Sequence, residues 1–292
     1  MAYHARAMTL ETFIERWSKS GAAERANKDQ FLAELCDAIK VKRPDPTTGD
    51  PARDLYVFER DAVQVAEGQK QSIGKIDLYK DGCFLLEAKQ GSEAGSPKLG
   101  TAKRGTAAWN VAMRDAFGQA LGYARTIERR PRFLLTCDIG YCFDLYATFD
   151  GSWDYRAFPN AQTNRFFLRD LPAQRDTLRA IFLEPHALDP ARRAAKVTCE
   201  VAGHIAELAR ELEEAGNGSE TVAAFLMRCL FTMFAEDVGL LPERTFVKLL
   251  EDECIPNPAK FPVQVMNLWA AMNEGGFWPT GKLLRFNGGL FA

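Results

Sequence analysis

Residues 76–89 constrain the fold of this chain more than any other stretch, because they predict two short strands joined by a tight turn. The turn is Asp81-Gly82, a dipeptide typical of two-residue hairpin loops, and apolar residues flank it. Side chains alternate between the faces of a strand, so Glu87 and Lys89 share one face of the second strand. Asp77 on the first strand can lie beside them. We therefore expect a sheet that carries two acids and a lysine at one strand end.

Asp77, Glu87 and Lys89 form the pattern D-x9-E-x-K, whose chemistry suits a hard divalent cation. Mg²⁺ prefers carboxylate oxygens and keeps several waters, so Asp77 and Glu87 are the expected metal ligands. The cation would lower the pKa of an attacking water and offset charge on a scissile phosphate. Lys89 would orient that water or pair with a phosphate oxygen. The pattern thus favours metal-dependent cleavage of phosphodiester bonds.

The same spacing is also compatible with an exposed hairpin face that carries an ordinary Glu–Lys pair. Leu85, Leu86 and Ala88 argue against this alternative, because they place Glu87 and Lys89 in or at the end of a buried strand. Charged residues are seldom found there unless they are paired or bound to a metal. We therefore favour the metal site.

Gln119 and Tyr123 add a second candidate pair of site residues. They lie four residues apart on a helix predicted over 109–125, so they share one face of it. The helix follows the candidate metal-binding strand, and its amide and phenol can face the site, to orient a ligand or contact phosphate. A half-buried Tyr123 with a solvent-facing Gln119 is the other interpretation. The sequence leaves both open.

Basic residues collect in 89–104 and 125–132, while 207–220 is acidic. The net charge of −2 therefore does not argue against a nucleic-acid partner. The expected contacts to a DNA backbone are Lys98, Lys103 and Arg104, in a loop predicted over 91–105. A solvated basic loop is the alternative, and no element that would read bases is recognisable.

Two further acids have uncertain roles in the sequence. Glu24 lies on the apolar stripe of the first predicted helix, seven residues before Phe31. We interpret it as an acid that complements the helix dipole, although it could instead lean toward the sheet as a further carboxylate. Glu59 is either a similar contributor or a charge at a strand edge.

Seven cysteines are scattered along the chain without a C-x-x-C pair, and the three histidines are isolated. These patterns disfavour a zinc site or a histidine-based site. Without a signal peptide, the odd number of cysteines favours reduced thiols in a cytoplasmic protein. No apolar run approaches the ~18 residues that a membrane span needs, so no membrane partner is expected.

The order of predicted elements is a helix over 22–39, three strands within 55–88, a helix over 109–125 and two strands within 132–149. This order predicts an α/β (α+β) domain with a mixed sheet flanked by helices over residues 1–160. Residues 161–188 are expected to be a linker. From Asp189-Pro190 onward helical patterns dominate, so residues 189–292 predict an all-α connector. The chain ends in an apolar stretch, which we interpret as the end of a fragment.

The arrangement of Asp77, Glu87-Ala88-Lys89 and the Gln119–Tyr123 helix resembles the PD-(D/E)XK nuclease superfamily. More narrowly, the chain resembles the N-terminal endonuclease and helical connector of single-chain type II restriction–modification enzymes (types IIL and IIG, Mme type). The connector resemblance rests on Phe234-Ala-Glu-Asp-Val-Gly-Leu-Leu-Pro242 and on Phe286-Asn-Gly-Gly-Leu-Phe291. Ile76 stands where the superfamily usually has a proline before the first acid.

The resemblance implies Mg²⁺-dependent cleavage of double-stranded DNA, with Asp77 and Glu87 as metal ligands and Lys89 as the catalytic lysine. It also implies an adenine methyltransferase and a target-recognition domain, covalently linked in a longer parent protein. Those domains, and any binding of S-adenosylmethionine, lie outside this chain, which has no N-P-P-[YF] motif. Motifs for nucleotide-binding loops and serine nucleophiles are absent from it as well. The sequence does not indicate the oligomeric state.

Two rival functions remain compatible with these residues. The first is a non-cleaving DNA-binding or scaffold region of a phage-defence DNA methyltransferase. The second is a repair nuclease that acts on single strands or DNA ends. Loss of cleavage on substitution of Asp77 or Lys89 separates the nuclease from the first rival. Cleavage of circular DNA separates it from the second, because a restriction module requires no end.

Overall fold

The structure, a computed structural model, describes residues 8–20, 24–64, 72–92, 101–242 and 244–285. The chain divides into two compact units, Met1–Ala194 and Ala195–Ala292. Each unit has its own hydrophobic core.

A seven-stranded mixed sheet forms the centre of the first unit. Its strands are β1 (Tyr56–Gln64), β2 (Ser72–Lys80), β3 (Phe84–Lys89), β4 (Phe133–Asp138), β5 (Cys142–Ala147), β6 (Arg156–Ala157) and β7 (Arg165–Phe167). The order is β1-β2-β3-β4-β5-β6, with β7 also paired to β5. Strands β3 and β4 are parallel, and every other pair is antiparallel. The predicted mixed sheet is thereby confirmed.

Helices cover both faces of this sheet. They are α1 (Leu10–Ser18), α2 (Glu24–Ala38), α3 (Ala107–Ala124) and α4 (Leu171–Leu183). On one face α1, α2 and α4 pack in a core with sheet residues such as Leu86 and Phe133. On the other face α3 packs on Leu85 and Leu134 through its own small residues and Tyr123. Because β3 and β4 are parallel, the chain needs a crossover between them, and α3 is that crossover.

The predicted hairpin at 76–89 is confirmed. In the register of β2 and β3, Lys80 is opposite Phe84 and Leu78 is opposite Leu86. Gly82 in its turn has φ +64°, a left-handed conformation that glycine adopts at little cost. Strand β3 is buried along most of its length, because α3 covers one face and the larger core covers the other.

Residues 161–188 were expected to be a linker, but the structure places them in the first unit. Strand β7 pairs with β5 at the sheet, and α4 contributes to the large core. The physical reason lies in the spacing of Leu178, Ile181 and Phe182, which puts three apolar side chains on one face of α4. Their burial makes the segment part of the first unit.

The second unit is mainly helical. Helix α5 (Pro190–Glu214) begins in the first unit and continues into the second, which holds α6 (Ser219–Asp237), α7 (Thr245–Lys248) and α8 (Phe261–Glu274). A π-helical turn, Leu249–Cys254, extends α7, and a short hairpin follows α8, formed by β8 (Gly276–Trp278) and β9 (Gly281–Leu283). Leu268 and Met272 of α8 are fully buried in its core.

The 234–242 connector motif has a structural explanation in this unit. Gly239, with φ +76°, ends α6, and the N–H of Leu240 then donates to Ala235 O (2.8 Å). Glu236 Oε1 accepts from the N–H of Phe246 (2.7 Å), which ties α6 to the first turn of α7. The second predicted motif, 286–291, lies outside the described residues. Among the described helices, none is both long and apolar enough to cross a membrane.

Candidate active site

The candidate site begins where β2 and β3 stop pairing. The ladder ends at Leu78–Leu86, so the next pair in register, Asp77 and Glu87, is not bridged by backbone hydrogen bonds. The Asp77 side chain replaces the missing backbone bond, because its Oδ2 accepts from the N–H of Ala88 (2.7 Å). This bond fixes one carboxylate beside the end of β3 and brings two buried acids together.

Glu87 is 1% exposed, and its Oε1 has no hydrogen-bond partner among the described residues. Burial, followed by the nearby charge of Asp77, raises the pKa of Glu87 to about 9, although Lys89 and Lys28 act in the opposite direction. A buried carboxylate without a partner is costly, and a cation is the partner that would relieve the cost. The site is therefore electrostatically incomplete at Glu87.

Lys28 of α2 supplies a positive charge next to these acids. Its Nζ donates to Asp77 Oδ1 (2.6 Å) and also to Glu59 Oε1. Burial lowers the pKa of Lys28, but the bonds to the two carboxylates outweigh it and raise that pKa overall. Glu59 lies opposite Asp77 in the register of β1 and β2, and its φ is +52°. Such strain in a non-glycine residue is typical of functional sites.

A chain of hydrogen bonds connects Lys89 to α3. Lys89 Nζ donates to Gln119 Oε1 (3.1 Å), and Gln119 Nε2 donates to the hydroxyl of buried Tyr123 (3.0 Å). The Tyr123 ring packs against Gly74 of β2. A Cβ on that residue would lie 2.4 Å from the phenol oxygen, so a larger residue would not leave room for the ring. The structure thus brings together all five candidate catalytic residues of the sequence, Asp77, Glu87, Lys89, Gln119 and Tyr123.

These donors fit a hard divalent cation. The described residues contain no group of three or more His, Cys, Asp or Glu side chains that could hold a metal. Two carboxylates are nevertheless enough for Mg²⁺, which is usually held by one or two, with waters and substrate phosphates as its remaining ligands. The unpartnered Oε1 of Glu87, beside Asp77, is the observation that favours such a cation.

Arg104 does not have the role expected for it. Its guanidinium donates to both oxygens of Asp138 (2.8 and 3.1 Å) and to Ile139 O (2.9 Å), and the side chain is 9% exposed. This buried ion pair commits Arg104 to the fold rather than to a phosphate. Lys103 is exposed, and its contact with DNA stays a prediction. Lys98 lies outside the described residues.

The buried Asp138 closes the base of the loop between β3 and α3. Besides Arg104, it accepts from Gly91 N (3.0 Å) and from the indole of Trp109 (2.7 Å). Ser92 adds two backbone bonds, its N–H to Ala102 O (3.0 Å) and its O from Arg104 N (2.9 Å). Lys89 and Asp138 are partners in the β3–β4 register. We call Asp138 and its side-chain and backbone partners Arg104, Trp109 and Gly91 the clamp. The clamp therefore lies directly beside the candidate site.

Sequence reasoning missed Lys28, although a signal was present. Lys28 lies three and seven residues before Phe31 and Leu35, so it continues the apolar stripe of α2 toward the sheet. A cation on a stripe that is otherwise buried requires an acid, and Asp77 is that acid. Glu24 also begins this stripe, but its side chain lies outside the described residues.

The sheet, its flanking helices and the acids and lysine at the end of β3 define a nuclease-like α/β domain, which a helical connector follows. Residues 5–215 match a family model described as MmeI, N-terminal domain. Residues 220–291 match a second model, described as MmeI, helicase spacer domain. The chain therefore belongs to the MmeI family, and the resemblance to Mme-type restriction–modification enzymes is confirmed. No curated protein and no solved structure matches it.

Proposed function

We propose that this chain is the Mg²⁺-dependent endonuclease module of a restriction–modification enzyme and that it hydrolyses phosphodiester bonds of double-stranded DNA. The observation that carries the proposal is the buried, unpartnered Oε1 of Glu87 beside Asp77 and Lys89. The family match supports an endonuclease of this kind in the parent protein.

In the proposed reaction Asp77 and Glu87 hold the cation. When bound, Mg²⁺ lowers the pKa of a water and offsets the charge that develops on the scissile phosphate. Lys89 orients the attacking water or pairs with a phosphate oxygen. Gln119 holds the Lys89 ammonium through its amide oxygen, and Tyr123 fixes the orientation of that amide. Gln119 and Tyr123 are therefore positioning residues.

Lys28 balances the acids before a cation arrives. Its ammonium contacts Asp77 on one side and Glu59 on the other, so both of these carboxylates already have a positive partner. Glu87 Oε1, by contrast, has no hydrogen-bond partner in the part of the chain that the structure describes. We infer that the contact with Glu87 contributes most to the free energy of cation binding, while Lys28 weakens the contact between Asp77 and the cation.

The remaining parts of the proposed function rest on the family. A longer parent protein would carry the adenine methyltransferase, which binds S-adenosylmethionine, and the target-recognition domain, which selects the DNA site. Such an enzyme would act in the cytoplasm and serve in phage defence. Lys103, exposed at the base of the loop, would add sequence-independent contact with the DNA backbone.

Cleavage of supercoiled plasmid DNA by the parent protein tests the proposal. Asp77→Ala and Lys89→Ala should each abolish Mg²⁺-dependent cleavage. Asp61→Ala and Lys75→Ala are matched controls, because this exposed pair (3.4 Å) lies on the neighbouring strands β1 and β2. Both controls should cut normally. Cleavage that survives Asp77→Ala and Lys89→Ala would overturn the proposal, and cleavage of linear DNA alone would favour an end-directed repair nuclease.

Titration calorimetry on the 292-residue chain provides a test that needs no cleavage. Mg²⁺ should bind the wild-type chain at one site, and Asp77→Ala should remove that binding. If Mg²⁺ binds Asp77→Ala as tightly as the wild-type chain, the assigned ligands are wrong.

A further inference from the structure

The Arg-rich segment between α3 and β4 lines a second site, far from the candidate active site. It borders a cavity of about 390 Å³, whose lining includes Gly82, Arg129, Arg130, Arg132, Trp153 and His186. Gly82 and Arg132 precede β3 and β4, whereas Lys89 and Asp138 end these strands. At about 3.3 Å per residue, β3 separates the two sites by roughly 20 Å.

The hairpin turn positions the first of these arginines. Arg129 Nη1 donates to Asp81 Oδ2 (3.0 Å), and its guanidinium lies across Gly82. A Cβ on Gly82 would lie 2.8 Å from Arg129 Nε, so the glycine makes room for the arginine. The turn that joins β2 and β3 therefore also places a cation at the cavity.

Arg130 is held in place more firmly. Its guanidinium stacks on the Trp153 ring at 3.7 Å from the centroid, and Nη1 donates to Ser152 O (2.9 Å). Its Nε is buried and has no hydrogen-bond acceptor among the described residues. A guanidinium that is already fixed on an aromatic ring loses little freedom on binding an anion, and its planar geometry matches phosphate oxygens.

His186 reports the electrostatic potential in this cavity. Burial lowers its pKa, and Arg132, Arg192 and Arg129 lower it further, while Asp189 opposes them. Glu128 also lines the cavity, but it is not among the charges that shift the pKa of His186, whereas Arg132 and Arg129 are. The interior of the cavity is therefore positive.

We propose that this cavity binds a phosphate group, as a free phosphate compound or as part of a polynucleotide backbone. Planar guanidinium groups match the geometry of phosphate oxygens, and three arginines line one concave site. The exposed part of Trp153, which is 40% exposed, offers a flat surface for the group that carries the phosphate. This binding is separate from the proposed cleavage, because it uses the opposite end of β3 and none of the candidate catalytic residues.

NMR titration of His186 in the 292-residue chain tests the proposal. A His186→Asn spectrum assigns its resonance among the three histidines. The probes are inorganic phosphate, AMP and a short DNA duplex, each compared with chloride at equal ionic strength. Phosphate binding should raise the pKa of His186 in a saturable way and leave His204 unchanged, because a bound anion stabilises the imidazolium. A shift that chloride reproduces, or that does not saturate, would overturn the proposal.

The three probes distinguish the sources of the phosphate. Tightest saturation by the duplex would indicate a backbone phosphate, whereas equal or tighter saturation by phosphate or AMP would indicate a free compound. Arg130→Gln and Arg132→Gln should each weaken binding about tenfold, the expected loss of one charge-assisted bond. Arg125→Gln is the matched control, because this exposed arginine belongs to the same basic segment but does not line the cavity.

A thermal melt of each variant establishes that it folds. If folded Arg130→Gln and Arg132→Gln bind phosphate as tightly as Arg125→Gln, the cavity is not the binding site. The result is independent of the proposed cleavage, since a chain without nuclease activity would still show the His186 response.

Discussion

Glu87 and Asp138 lie near the same ends of two neighbouring parallel strands, two register positions apart, yet their surroundings are opposite. Both are essentially inaccessible to solvent, at 1% and 0% exposure. Asp138 accepts hydrogen bonds from Gly91, Trp109 and twice from Arg104. Glu87 keeps an oxygen without any partner among the described residues. Burial alone therefore does not distinguish the two acids, whereas a buried oxygen without a hydrogen-bond partner does, and it makes Glu87 the candidate for a functional role.

The two acids also differ in the contacts that they make within the fold. Asp138 and Arg104 close the loop that leads from β3 into α3, which carries Gln119 toward Lys89. Glu87 Oε1 makes no comparable bond among the described residues. We therefore expect substitutions of the two acids to separate activity from stability.

Glu87→Gln should have the largest effect, and it should be on activity. The amide keeps the size of the side chain but loses the negative charge that a cation needs, so cleavage by the parent protein should fall by about 10²–10⁴-fold. Initial rates of plasmid nicking at saturating Mg²⁺ measure this. Folding should be unimpaired, and a variant that unfolds instead would break the contrast with Asp138.

Asp138→Asn should destabilise the first unit by about 3–5 kcal/mol, because it leaves the Arg104 charge buried without its acid. The free energy of unfolding from urea titration measures the loss. Asp154→Asn, whose ion pair with Arg156 is exposed, is the control and should cost under about 1 kcal/mol. Equal losses in both variants would show that the clamp does not stabilise the fold.

The pH dependence of stability should follow Glu87 when no metal is present. Its pKa in the folded chain is about 9, above the usual 4.5, so between these values the folded chain holds a proton that the unfolded chain has lost. The contribution of Glu87 to the free energy of unfolding is then fully present below about pH 4.5. It falls as the pH rises toward 9, by up to about 1.4 kcal/mol per pH unit. Urea titrations of wild-type and Glu87→Gln chains at several pH values test this. Parallel pH profiles would contradict it.

Lys28→Met should have the smallest effect and should strengthen Mg²⁺ binding. Removing the ammonium leaves Asp77 and Glu59 without their cation, so the affinity for Mg²⁺ should rise about tenfold, or about 1.4 kcal/mol. Calorimetric titration measures it, and Lys28→Arg, which keeps the charge, should bind nearly as the wild-type chain does. Weaker binding in Lys28→Met would show that Lys28 supports the cation rather than competing with it.

Local patterns in the sequence predicted the hairpin and most helices correctly, because each depends on residues close together in the chain. The Asp81-Gly82 turn and the apolar run around Glu87 determine β2 and β3 without reference to the rest of the molecule. For Gln119 the helix pattern left two orientations open, and the structure shows the one that contacts Lys89.

Contacts between distant segments could not be derived in this way. The sequence predicts Arg104 as a contact to the DNA backbone and does not reveal its ion pair, because the partner, Asp138, is 34 residues away and ends a different strand. Lys28 was overlooked for the same reason, since Asp77 lies 49 residues further along the chain. Helix α1 was not predicted, and α4 was read as part of a linker, because their charged residues obscure short apolar stripes.

The backbone conformation of Glu59 has a consequence beyond the site. Strand β1 is the outermost strand of the sheet, and Asp45 covers its beginning through a bond to Tyr56 O (2.8 Å). Further along, the left-handed turn at Glu59 interrupts the regular row of N–H and C=O groups that an exposed edge offers to another chain. The residue that brings an acid to Lys28 thus also makes the edge a poor template for a foreign strand.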